Sequence, residues 1–298
     1  MNIHFALIGP GRVGSAIAKA LLQKGGLPVS IIGRNLAATR EACDFIGCNP
    51  DQATTDLHCA GGADLILLAV PDDSIAAIAH QLQQQNIPKP GTVLLHFSGV
   101  HTAAIMRYPE SRACLFSLHP LLPFADCQQA YERLKHAPYI GEGDDTARRI
   151  AETLCTALGG RLQIISPHRK PLYHAAVCMA SNYLVTLIAA ATDLLKECGI
   201  DPDQGEALLL PLLEATLENV AGGGTGNGLT GPVVRGDKGT IEAHIQALKQ
   251  VDAGLLDLYC LLGTRTVLLA ENSGRLNTVA AQKIRKLLNK RQLTNFRT

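Results

Sequence analysis

The sequence predicts an α/β fold in which a doubly wound parallel sheet is followed by an all-helical domain. Three observations carry that prediction. An apolar run at the N-terminus meets a glycine turn and then a helical pattern. Apolar runs go on alternating with helical segments as far as about residue 166. Beyond that point strand signals stop and only helical periodicity remains. At 298 residues the chain is long enough for two domains, 1–166 and 167–298, with one boundary between them.

His4–Ile8 reads as a buried strand, Gly9-Pro10-Gly11-Arg12-Val13-Gly14 as the turn, and the apolar stretch from Ser15 as the helix. In a Rossmann unit Gly9 makes the tight turn, and Gly11 lets the backbone approach a pyrophosphate. Gly14 lets helix and strand pack closely, and the phosphates sit at the positive end of the helix, beside Arg12 and Val13. Pro28–Ile32 is a second strand running into Arg34, the position that reads the adenine ribose. A carboxylate there would accept from the 2′-hydroxyl of NAD(H). A guanidinium suits an extra phosphate, so Arg34 favours NADP(H). After a helix to Ile46, the continuous apolar run Ala63–Val70 is a strand buried on both faces, ending at Pro71-Asp72-Asp73, a turn and helix N-cap. Val70 and Pro71 therefore join the cofactor edge. Gly91–Phe97 delivers Ser98 to that edge, Ala113–Ser117 delivers His119, and Tyr139–Gly141 and Arg161–Ile165 complete the sheet.

From Ser166 the pattern gives helices over roughly 169–198, 203–221, 238–250, 252–272 and 277–290, with Gly222-Gly223-Gly224 ending the second and Pro211 kinking or dividing it. The run from Ala175 to Leu195 is too apolar for one exposed face; Ser181, Asn182 and Asp193 interrupt it, which suits a buried helix, against the core or a second subunit, better than a membrane span. The net charge of +1, from 27 basic and 26 acidic residues, creates no field favouring nucleic acid or an anionic membrane. Lys283, Arg285, Lys286, Lys290 and Arg291 read as a solvated helix face, with an anion-binding tail as the alternative. Nine scattered cysteines include no CxxC pair and no zinc spacing, so no metal site is expected; free thiols in a cytoplasmic protein without a leader fit them.

The residues suited to chemistry fall into three groups. Ser98 and His119 end consecutive strands, so a parallel sheet sets them side by side where a hydroxyl and an imidazole can bind a substrate oxygen and pass a proton. Steps of four put Lys170, His174 and Cys178 on one helical stripe, with Ser181 and Asn182 near its end. Such a polar stripe needs partners, either in the core or in a ligand cleft. His174 suits a general acid, with Lys170 one turn earlier as a competitor. In the 229–237 loop, Arg235 can grip a carboxylate or pair with Asp237, which can cap the next helix.

The stretches GPGRVGSAIA, AVPDDSIAAIA, HFSG, SLHPLLPF, YHAAVCMASNYLVTL and LTGPVVRGD span both domains. In them the chain resembles Rossmann-like oxidoreductases whose helical second domain is of unknown function. More distantly it resembles the 6-phosphogluconate dehydrogenase superfamily, including β-hydroxyacid dehydrogenases, ketopantoate reductase, pyrroline-5-carboxylate reductase and prephenate dehydrogenase. This resemblance implies NAD(P) in the first domain, an interdomain active site and a homodimer through the helical domain. The lysine of the β-hydroxyacid dehydrogenases, followed four residues on by asparagine, has His174 and Cys178 as its nearest counterparts here, with Asn182 a turn later. The HPxxG pattern of prephenate dehydrogenases is not matched at His119-Pro-Leu-Leu-Pro. The expectation is NADPH-dependent reduction of a small keto acid, ketopantoate to pantoate first, as in pantothenate biosynthesis. His174 would donate the proton, with His119 or Lys170 as alternates, and Ser98, Asn182 and Arg235 would orient the carboxylate substrate. Pyrroline-5-carboxylate or prephenate-type chemistry, or a non-catalytic NADP-binding dimer, are the alternatives.

Overall fold

The computed structural model describes residues 2–289; Lys290 and Arg291 of the basic stretch, and the last expected position of the final helix, lie outside them. Strands and helices alternate as β1 (His4–Ile8), α1 (Arg12–Gln23), β2 (Leu27–Ile32), α2 (Leu36–Ile46), β3 (Ala53–Thr54), β4 (Leu65–Leu68), α3 (Asp72–Gln84), β5 (Val93–His96), β6 (Cys114–Pro120), α4 (Cys127–Arg133), β7 (Pro138–Gly143), α5 (Asp145–Ala157) and β8 (Arg161–Ile164). Among the described residues they form one eight-stranded sheet in the order β3-β2-β1-β4-β5-β6-β7-β8. The order reverses between β1 and β4, where an open α/β sheet leaves a crevice at its carboxyl edge.

Period-two alternation gives the sheet two dry faces. Phe5, Leu7, Leu65, Leu67, Leu95 and Phe116 pack on one side; Ala6, Ile8, Ile66, Leu68, Leu94 and Leu115 pack on the other. Two details depart from expectation. The short β3 carries no apolar run long enough to announce it. The sheet is also not wholly parallel, because β7 runs antiparallel to β6, with Pro120 opposite Tyr139. The intervening helix α4 has only seven residues and packs on α1, so the chain comes back to the sheet at the end it left. A parallel return needs a crossover long enough to reach the opposite edge.

Helices follow as α6 (Lys170–Ala180), α7 (Asn182–Glu197), α8 (Pro202–Gly228), α9 (Lys238–Val251), α10 (Ala253–Asn272) and α11 (Thr278–Asn289). The expected helix over 169–198 is two, parted at Ser181, whose φ of −118° and ψ of −72° depart from regular helix values. Pro211 does not divide α8; the non-helical residue inside it is Gly224 (φ 70°, ψ 173°), within the expected glycine stop, and the chain resumes helix to Gly228. Proline keeps a helical φ, and the carbonyl it leaves unpaired, on exposed Ala207, is open to water. Asp237 and Asp252 cap α9 and α10 by accepting from Thr240 N and Leu255 N.

Compactness divides the chain between Asn182 and Tyr183, later than the strand-to-helix change at 166, because Lys170 at the start of α6 is buried against the sheet. The second unit has its own core: Ile241, Ile245 and Leu248 of α9 meet Leu256, Val267 and Ala270 of α10 and Ala281, Ile284 and Leu288 of α11. The expected burial of the apolar 175–195 run does not occur within the single chain. Met179 and Val185 are about two-thirds exposed, at 66% and 67%.

Candidate active site

The glycine turn builds the first part of the site. Gly9 has φ +88°, and a Cβ on it would lie 2.5 Å from the Ala69 carbonyl oxygen; one on Gly14 would lie 2.6 Å from Gly9 O and 2.8 Å from Ala69 Cβ. Both glycines are thus required by backbone and helix–strand contact. Gly11 differs. Nothing lies within 4 Å of its missing Cβ, so its open side faces space that a ligand can enter. A cavity of about 980 Å³ starts here, bounded by Gly9, Gly11, Arg34, His58, Val70 and Pro71 among others. The α1 N-terminus has no side-chain cap, leaving its first N–H groups for an anion. Gly9, Gly11, Arg34, Val70 and Pro71 line this cavity together. Arg12 and Val13 begin α1 beside the cavity, and Gly14 acts from behind it. The residues fit a dinucleotide: uncapped amides and an open glycine for a pyrophosphate, and a guanidinium at the adenosine end.

Further along the same sheet edge, His96 pairs in parallel register with Ser117, so Ser98 and His119 follow at equal steps beyond the pair. Ser98 is buried and its hydroxyl is fully engaged. It donates to Asp72 Oδ2 at 2.8 Å and accepts from Val100 N at 3.3 Å and His101 N at 3.0 Å. Asp72 is the first residue of α3 and binds Ser98 in place of the expected N-cap. Beneath this turn His96 is wholly buried. Its Nε2 donates to the Thr102 carbonyl at 3.2 Å and its Nδ1 accepts from Ser98 N at 3.1 Å. Burial, and then the Lys170 charge, push His96 down to about 3, so it stays neutral.

His119 Nδ1 lies 2.7 Å from the Tyr173 hydroxyl, and the ring stands edge-on to that of His174, centroids 5.9 Å apart. With the phenol donating to Nδ1, the proton of a neutral His119 rests on Nε2. Burial, then the His174 ring and the Lys170 ammonium, hold His119 down to about 4, with Asp72 pulling the other way. Gly99 completes the arrangement. A Cβ there would lie 2.3 Å from His174 Cδ2, 2.9 Å from His174 Nε2 and 3.1 Å from His119 Nε2, so both imidazoles close on one glycine. Cys178 Sγ lies 3.9 Å from the His174 ring nitrogens.

Ser98, His119, Lys170 and His174 are thus gathered in the first unit, but two of them are not placed to touch a substrate. Lys170 has no exposed surface, and Ser98 has spent its hydroxyl on the turn. Asn182 stands exposed at the start of α7, and Arg235 is exposed in the second unit, on the loop whose Asp237 caps α9. The Asp237 carboxyl is held below its usual range by Thr240, with Arg235 contributing less.

Residues 2–120 match the model of the Rossmann-like domain, and residues 137–266 match that of a domain of unknown function, DUF2520. The chain joins a Rossmann-like domain to a DUF2520 domain. The second match begins just before β7, where strand direction reverses. Among solved structures, a Bacteroides fragilis protein described as an NADP oxidoreductase is 22% identical with a TM-score of 0.69, over 91% of this chain and 98% of that one. A Thermotoga maritima protein is 22% identical with a TM-score of 0.68, over 97% and 99%. Plasmodium falciparum pyrroline carboxylate reductase with NADP bound is 14% identical with a TM-score of 0.53, over 96% and 98%. The fold of this Rossmann–DUF2520 chain is shared with all three.

Sequence reasoning missed Tyr173, Asp72 and Gly99 as members of the site, and Glu142, which accepts from Ala103 N and lies 3.8 Å from Lys170 Nζ. For Tyr173 a signal was present: it precedes His174 and lies three residues after Lys170, inside the polar stripe. Asp72 and Glu142 reach their partners across 26 and 39 residues of chain, which no local pattern encodes.

Proposed function

We propose that this protein is an NAD(P)-dependent oxidoreductase that uses NADPH to reduce the carbonyl of a small keto acid, with ketopantoate as the first substrate to test. The observation that carries the reading is that the carboxyl edge of one sheet holds both a cavity lined by the glycine turn and Arg34, and His119, whose ring meets that of His174 edge-on. Arg34 in that cavity favours NADP(H), and the NADP-bound pyrroline carboxylate reductase shares the fold. A bound NADPH supplies the hydride. The chain's own part is to place the carbonyl and deliver a proton to its oxygen. His174, half-buried and turned to Gly99, is the donor; His119, neutral and carrying its proton on Nε2, is the alternate. Lys170 drops out as a donor because it is buried. Asn182 and Arg235 are the candidates for orienting the substrate carboxylate, and Ser98 contributes by shaping the turn.

We assign the helical part from residue 167 to substrate binding and to homodimerisation in the cytoplasm; the free thiols of all nine cysteines fit that compartment. Exposed Leu172, Met179, Tyr183 and Val185 supply an apolar surface suited to a second copy.

The test is consumption of NADPH across a panel of 2-keto acids that includes ketopantoate, with pyrroline-5-carboxylate and prephenate alongside. Turnover of a keto acid, reduced about 10²–10⁴-fold in His174→Ala with NADPH affinity retained, supports the reading. Undiminished turnover in that variant removes the His174 assignment. NADPH binding without turnover of any compound favours a non-catalytic NADP-binding dimer.

A further inference from the structure

The mechanism above leaves one buried charged cluster unused. Lys170 Nζ donates to the His101 carbonyl and to Ser117 Oγ, and lies 3.8 Å from Glu142 Oε1. Glu142 in turn accepts from Ala103 N at 2.6 Å. The side chains of Lys170 and Glu142 are 0% and 4% exposed. One ammonium therefore ties together the first turn of α6, the loop after β5, strand β6 and strand β7.

The position of this cluster relative to the imidazoles follows from two periodicities. Lys170, Tyr173 and His174 stand at i, i+3 and i+4 on α6, so they share a face. Ser117 and His119 stand two apart on β6, so their side chains leave the same side of the strand. Anchoring Lys170 on Ser117 thus brings Tyr173 onto His119 and His174 onto Gly99. A buried ion pair is an expensive way to fasten a helix, since apolar residues of similar volume often serve stability as well or better.

We propose that Lys170, with Glu142, is a positioning residue for the imidazole pair: it sets how Tyr173 and His174 meet His119. The proposal deepens the reading of His119 and His174 as the proton-handling pair and rests on it. The groups facing His119 are Lys170, Tyr173 and His174 from α6 and Asp72 from α3. Of these Asp72 favours a cationic His119, while His174 and then Lys170 oppose it. Burial pushes Lys170 itself down to about 8, with Glu142 and then Asp72 working against that, so it remains mostly protonated at neutral pH.

The experiment is a histidine titration by NMR on the full chain labelled with ¹⁵N-histidine, His119 being identified by its loss in His119→Asn. In the unsubstituted protein His119 is expected to stay neutral with its proton on Nε2 down to well below pH 6. In Lys170→Met, with Tyr173 no longer held on Nδ1, the Nε2–H signature of His119 is expected to give way to a mixture of tautomers, and its midpoint to rise. Because that change strands a buried carboxylate, the double variant Lys170→Met/Glu142→Gln is measured as well; it removes both charges and keeps an acceptor for Ala103 N. A His119 that titrates near its ordinary 6.5 in the unsubstituted chain overturns the proposal without any variant. A folded variant in which both the tautomer and the midpoint of His119 are unchanged overturns it too. These titrations use neither cofactor nor substrate. Their failure leaves the reductase reading standing, and a chain that turns over no keto acid leaves the titration result intact.

Discussion

At the scale of single residues, Gly99 has the sharpest constraint in the candidate site. An added methyl group would sit 2.3 Å from His174 Cδ2, so the imidazole must move. Gly99→Ala is expected to lower kcat/KM by about 10²-fold, the usual consequence of a displacement near 1 Å, while fluorescence titration finds NADPH affinity unchanged. The two neutral histidines make a second prediction, about stability. His96 and His119 are held down to about 3 and about 4 in the folded protein, against 6.5 for an ordinary histidine. Between those values and 6.5 the unfolded chain binds more protons than the native one, so stability falls as pH drops through that window. Urea midpoints should therefore decline from pH 7 to pH 5, and His119→Asn should flatten the decline. An unchanged slope in the variant would contradict the assigned state of His119. Lys170 shows the limit of reading residue types. A lysine one turn from a histidine is a natural proton donor on paper, but packing makes it a buried anchor.

At the scale of elements, most strands were legible because they are short apolar runs, β4 wholly so and β1 and β5 but for one histidine each. The polarity of β7 was not, since direction depends on where the connecting chain re-enters the sheet, and that is settled by α4 packing on α1. The helical half was legible in spacing but not at its interruptions, so that six helices form among the described residues where five were expected. Ser181 parts α6 from α7, whereas Pro211 is absorbed without a break. Replacing Pro211 with alanine restores a donor and removes a ring clash inside an exposed helix. Thermal or urea unfolding should show Pro211→Ala more stable, by up to about 3 kcal/mol. A destabilised variant would mean that the proline has a packing role which its exposure does not suggest.

At the scale of the molecule, each unit has its own core, yet large apolar side chains stay in water on helices of both. Leu172 and Met179 of α6 are 65% and 66% exposed, and Leu208 and Leu212 of α8 are 61% and 64%. Monomeric proteins seldom leave such surface uncovered. Sedimentation of the full chain should give the mass of two copies, and Met179→Glu with Val185→Glu should return it to one. A monomer at micromolar concentration in the unsubstituted protein would count against the homodimer. What the amino-acid sequence determined alone is the class of fold, most of the strand and helix positions, the glycine turn and the candidate imidazoles. Those depend on side-chain periodicity and backbone sterics, which operate within a few residues. Only the tertiary structure decided that Ser98 is spent on Asp72, that Lys170 is buried on His101 and Ser117, and that Tyr173 meets His119. The partners in those contacts stand 26 to 69 residues apart, and packing, not pattern, brings them together.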